Sequence, residues 1–98
     1  MALYMVAYDI CEDTRRKYEN DIQSAMKRFN GLLHLQGSVF IIHTKSYDDV
    51  YIKDLIKPFL AGRDRLIVAP IASINSISGW MTNEERRWIN NRLHADRH

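Results

Sequence analysis

Residues 3–17 read LYMVAYDICEDTRRK. Residues 3–8 are apolar and rich in aromatic and β-branched side chains, as a buried strand requires. The strand ends on Asp9. Glu12 and Asp13 follow, then Arg15, Arg16 and Lys17, at what reads as the opening of a helix. Asp13 or Thr14 can cap that helix. Tyr18, Ile22, Ala25, Met26 and Phe29 recur at steps of three and four, which draws one apolar stripe along it. Asn30-Gly31 is expected to stop it, glycine being favoured just past a helix end.

The chain outward from this stretch alternates in the same way. Residues 32–35 read as a second, weaker strand, and Gln36-Gly37 can bend or bulge the chain. Residues 38–43 (SVFIIH) read as a third strand. Ser46 and Asp49 have capping-box spacing ahead of a second stripe: Ile52, Leu55, Ile56, Phe59 and Leu60. Pro58 lies inside that stripe and removes a backbone donor, which predicts a kink or an early, tight end. Gly62 terminates the segment. Residues 65–71 (RLIVAPI) read as a fourth strand, and Pro70 places it at an edge or near a stop. Residues 72–79 (ASINSISG) fit a loop or a short edge strand. Thr82 and Glu85 repeat the capping-box spacing. Trp88, Ile89 and Leu93 supply a narrow stripe for a last short helix.

The order strand, helix, strand, strand, helix, strand is the ferredoxin-like βαββαβ pattern, an α+β two-layer sandwich. The expectation is one domain over residues 1–98, with residues 1–72 as core and 73–98 as a C-terminal extension helix. Both long stripes must cover one face of an antiparallel sheet. Strands covered on one face alternate apolar and polar, yet residues 3–8 and 39–42 are apolar on both faces. The second face therefore also needs burial. A second copy would supply it, which predicts a homodimer joined through open sheet faces or strand edges. The alternative is that Trp80 and Trp88 fold back over that face.

Composition bounds the function. The 98 residues are 46% hydrophobic and 27% charged, with net charge +2 and pI near 8.8. That balance permits a nucleic-acid partner without requiring one. A single cysteine excludes an internal disulfide and points to a reducing compartment. The N-terminus lacks a cationic region followed by an apolar run. No apolar stretch approaches the roughly 18 residues of a membrane span. The expectation is a cytoplasmic protein with no membrane partner.

Few side chains carry chemistry. Asp9 is either a strand-end carboxylate holding the next turn or a ligand for a hard cation. Glu12 and Asp13 are favourably placed at a helix N-terminus. Arg15, Arg16 and Lys17 are spread round the helix by about 100° per residue, so at most two face one phosphate backbone; the other reading is a solvated helix start. Arg86, Arg87, Arg92 and Arg97, with His94 and His98, form a second basic group. Glu84 and Glu85 partly cancel it, as on a solvated face. Trp80 and Trp88 read as packing anchors rather than base-stacking platforms. Cys11 has no histidine placed beside it to act as a base, so it reads as a small half-buried residue. The histidines and the cysteine lack zinc-ligand spacing. There is neither a P-loop nor a dinucleotide glycine motif.

Two motifs carry a family resemblance. Tyr8-Asp9-Ile10, then an acid, then Arg15-Arg16-Lys17 opening the first helix, resembles the CRISPR-associated spacer-acquisition proteins of the Cas-two type. So does Gln36-Gly37-Ser38-Val39-Phe40. Pro58, Asp64-Arg65-Leu66-Ile67-Val68 and Trp88 resemble counterparts in short SinR-like relatives of that group. The segment 73–98 departs from the pattern, in the region that contacts a protein partner in the CRISPR proteins.

The resemblance implies a ferredoxin-like homodimer in which Asp9 lies near the two-fold. Paired Asp9 side chains would hold one magnesium ion. Ser38 would hydrogen-bond a phosphate or the metal-bound water, and Arg15, Arg16 and Lys17 would meet the nucleic-acid backbone. Some members are metal-dependent nucleases on RNA or double-stranded DNA, and others bridge DNA structurally. The lead expectation is thus a Cas-two-like, nucleic-acid-associated homodimer, catalytic through Asp9 and Ser38 if it is a phosphodiesterase. The alternative is a non-catalytic interaction module on the same fold: a bridging subunit, an antitoxin-like partner or a mobile-element inhibitor. In that case a protein partner would engage the C-terminal segment. A small-molecule sensor ranks last, because no glycine-rich ligand loop is present.

Overall fold

The structure is a computed structural model and describes residues 2–45, 48–72 and 81–95. Its elements run β1 (Ala2–Asp9), α1 (Glu12–Met26), β2 (Gly31–Gln36), β3 (Val39–Thr44), α2 (Asp49–Ile56), a 3₁₀ turn (Lys57–Phe59), β4 (Arg65–Ile71) and α3 (Asn83–Ala95). The strands order as β2-β3-β1-β4, and each neighbouring pair is antiparallel. β3 lies between β1 and β2, and β1 between β3 and β4. Two interleaved split βαβ units result, the ferredoxin-like arrangement expected from the sequence. β4 forms one edge, where Pro70 costs no ladder hydrogen bond on its outer side.

The register decides what each face buries. Leu3 pairs with His43 and Ile71, Met5 with Ile41 and Ala69, and Ala7 with Val39 and Ile67. Alternate residues of β1 therefore serve opposite faces. Val6 and Tyr8, with Phe40 and Ile42, pack against Ile22 and Met26 of α1 and Ile52 and Ile56 of α2. The other face packs Leu3 and Ile41 against Ile89 of α3, flanked by Leu33, Leu35, Ile71, Met81, Trp88 and Leu93. This end of the second face, expected to need a second copy, is covered by the chain itself. Of the two tryptophans expected to fold back, Trp88 does so, and Trp80 lies outside the described residues.

Three local devices seat α3. The expected capping box forms: Glu85 N–H donates to Thr82 Oγ1 (3.1 Å), and Thr82 N–H donates to Glu85 Oε1 (2.7 Å). The Arg92 guanidinium lies 3.7 Å from the Trp88 ring centre and donates to the Trp88 carbonyl at 3.2 Å. Gly31 supplies the third. A Cβ there would stand 3.2 Å from Trp88 Cζ2 and 3.3 Å from Arg92 Nε. Gly31 therefore opens β2 and admits α3 at close range. It is not the stop of α1, which ends earlier, at Met26, before a turn that tucks Phe29 into the core.

Other expectations are corrected in detail. Neither Asp13 nor Thr14 is the N-cap of α1; Cys11 occupies that position without a side-chain cap bond. Asp48 caps α2, accepting from Tyr51 N–H at 2.9 Å; Ser46 lies outside the described residues, as does most of the 72–79 segment. Pro58 tightens the end of α2 into the 3₁₀ turn, as its ring and missing donor predict. The β2–β3 register shifts between His34 and Gln36. Gly37 has φ +37°, a left-handed conformation that favours glycine. Ser38 thus falls in the turn, and β3 starts one residue later, at Val39.

Candidate functional site

Asp9 ends β1, exposed, on the face that α3 partly covers. Its ladder partner is Arg65. The next paired positions inward on that face are Ala7, Val39 and Ile67, and Ile67 is 60% exposed. An apolar strip beyond α3 therefore ends at an exposed carboxylate and an exposed guanidinium.

Ser38 belongs to the opposite side. It stands across from Tyr8, whose N–H donates to the Ser38 carbonyl at 3.1 Å. Burial raises the Tyr8 phenol above its ordinary value of 10.0; Gln23 and Ser38 beside the hydroxyl lower it, the Glu19 carboxylate raises it and Arg15 lowers it. Tyr8 Oη is enclosed and forms no hydrogen bond of ordinary geometry. Strand alternation thus separates the two expected catalytic residues, Asp9 and Ser38, while Arg15 and Ser38 share the surroundings of the Tyr8 phenol.

The cations at the start of α1 are partly engaged. Arg15 forms an ion pair with Glu19 one turn on. Arg16 pairs with Asp13 at 3.0 Å, both largely exposed, so the pair adds little stability. Lys17 is exposed. Cys11, expected to be half-buried, is exposed too. On α3, Arg86 and Arg87 face solvent.

Asp64 has a role that sequence reading missed. It lies just before β4 and reaches back to the start of α1. Its Oδ1 accepts the Cys11 N–H (2.7 Å), and its Oδ2 accepts the Thr14 hydroxyl (2.6 Å) and the Ala61 N–H (2.7 Å). These bonds, that from Thr14 foremost, hold its carboxyl at about 2, below the ordinary 3.8. Asp64 therefore supplies the tie at the helix start that Asp13 or Thr14 was expected to supply. The sequence signal was its place at the head of the Asp64–Val68 run. No local spacing could announce a bond spanning more than half the chain.

Asp9 offers one exposed carboxylate, and among the described residues no group of three or more His, Cys, Asp or Glu side chains converges. No helix among the described residues is long and apolar enough to cross a membrane.

Comparison of the sequence with family models and with curated proteins gives no match. Among solved structures, the chain is similar to a hypothetical protein, TT1823, from Thermus thermophilus, with a TM-score of 0.56 and 30% sequence identity. The match covers 83% of this chain and 94% of that one. At that identity and coverage, the chain belongs to the same family as this hypothetical Thermus protein.

Proposed function

We propose that the protein is a Cas-two-like, homodimeric, nucleic-acid-associated protein. The observation that carries the reading is the position of Asp9. It is exposed at the end of β1, beside the apolar strip of Ala7, Val39 and Ile67 that α3 leaves open. A second copy packed on that strip would bury Ile67 and bring two strand-end carboxylates toward a common axis. In this reading magnesium is held only in the dimer, between paired Asp9 carboxylates, and supplies charge neutralisation at a phosphodiester.

A second reading keeps the fold and drops the catalysis, leaving a binding or bridging module. It draws support from the separation of Ser38 from Asp9 and from the ion pairs that occupy Arg15 and Arg16. Labelled single-stranded RNA and double-stranded DNA, each with magnesium or with chelator, decide between the two. Cutting that needs magnesium and is lost in Asp9→Asn is the expected result for the nuclease. A well-folded dimer that cuts neither substrate at any metal level ends the catalytic reading. A monomer by sedimentation ends the paired-Asp9 site.

A further inference from the structure

The turn between α2 and β4 carries a basic groove. Lys53 and Lys57 are one helical turn apart and share a face of the α2 end. With Leu60, Ala61, Gly62, Asp64 and Leu66 they line a cleft of about 400 Å³. A second cleft, of about 460 Å³, continues round the same turn and is lined by Gly62, Arg63, Asp64 and Arg65. The two share Gly62 and Asp64. Lys53 and Lys57 therefore flank the first cleft, and Arg63 and Arg65 the adjoining one, with Arg65 on the sheet face opposite α2.

Among the described residues, the only acid lining either cleft is Asp64, and its two oxygens already accept three hydrogen bonds from Cys11, Thr14 and Ala61. Asp54 lies 3.6 Å from Lys53, and Asp9 is the ladder partner of Arg65. Lys57 and Arg63 thus contribute most of the uncompensated charge. At Gly62 a Cβ would meet nothing within 4 Å, so the turn leaves open space for a ligand. The cations of α1 differ, since Arg15 and Arg16 are ion-paired within their own helix.

We infer that this groove, rather than the start of α1, holds the phosphate backbone of a nucleic acid. The inference rests on the nucleic-acid reading above and names the surface that carries it. Lys57 and Arg63 neutralise phosphates and position the strand without reading its bases. Leu60 and Leu66 form the half-buried floor.

Fluorescence anisotropy on the full-length chain, with labelled duplex DNA and single-stranded RNA over a salt series, tests it. The double variant Lys57→Gln, Arg63→Gln should weaken binding on the order of tenfold and flatten the log–log salt slope by about two units. The charge-preserving pair Lys57→Arg, Arg63→Lys should restore both. Arg16→Gln with Lys17→Gln should change affinity by less than about threefold. All four positions are exposed, and circular dichroism verifies the fold of each variant. The reverse pattern, with α1 dominant, overturns the groove and leaves the nucleic-acid reading standing. A wild-type chain that binds neither polymer overturns both. Displacement of the polymer by equimolar adenosine monophosphate overturns the proposal in favour of a small phosphorylated ligand.

Discussion

The two faces of the sheet are built from the same strands and are covered differently. On one, α1 and α2 bury Val6, Ile22, Met26, Ile42, Ile52 and Ile56 completely. Each such side chain contributes about 1.5–3 kcal/mol relative to exposure. On the other, α3 centres on Leu3, Ile41 and Ile89 and stops short of Ile67. The helices of the first face are strung between strands, so neither can leave without parting the sheet. α3 follows β4 in the chain and lies over the second face without passing into a further strand among the described residues. The difference shows how one fold can keep a closed core on one face and an open apolar strip on the other. Asp9 lies where that cover ends.

The sharpest way to break this comparison is to cut one buried isoleucine on each face. Ile52→Ala should lower global stability by roughly 2–5 kcal/mol in urea unfolding. Ile89→Ala should cost less, because its loss is capped by the free energy that docks α3. Hydrogen exchange should then show α3 amides opening ahead of those in β1 and β3. Equal losses would mean that both faces melt as one unit and that α3 is as integral as α2.

Asp64 sharpens the comparison from the first face, where it ties α1 to the start of β4. Its carboxyl titrates at about 2 in the folded chain against an ordinary 3.8. The stability it confers is therefore complete above about pH 4 and is lost as pH falls through 2. Asp64→Asn should destabilise the protein at neutral pH and remove that part of the acid dependence. An unchanged acid profile would place the acid sensitivity elsewhere.

Tyr8 should give the smallest effect. Its hydroxyl is enclosed without a well-formed partner, so Tyr8→Phe should be near neutral or slightly stabilising. The folded phenol ionises above 10.0. Wild-type stability should thus hold below pH 10 and fall as pH rises beyond it, and Tyr8→Phe should lose that decline. A large loss of stability at neutral pH would reveal a hydrogen bond that matters to the first face.

Much of the fold was legible in the sequence because it rests on periodicity. The continuous apolar runs of β1 and β3, the stripes of α1 and α2, the edge placement implied by Pro70 and the Thr82–Glu85 box are all local patterns, and all were found. The capping errors have one cause. Asp13 and Thr14 are polar residues in the first turn of α1, but Asp64 arrives from across the fold. Gly31 was misread for a similar reason: its smallness serves Trp88, which no spacing connects to it.

The candidate site was legible in part. Asp9, Ser38 and the α1 cations could be singled out by residue type and resemblance. Strand parity puts Asp9 and Ser38 on opposite sides, and ion pairing occupies Arg15 and Arg16. The sequence alone determined the elements, their order and the need to bury both faces of β1 and β3, because hydrophobic burial is written in period and composition. Only the tertiary structure decided that α3 meets that need along part of one face. It alone also brought Lys53, Lys57, Arg63 and Arg65 round one turn, because which distant segments meet depends on register and docking rather than on neighbours in the chain.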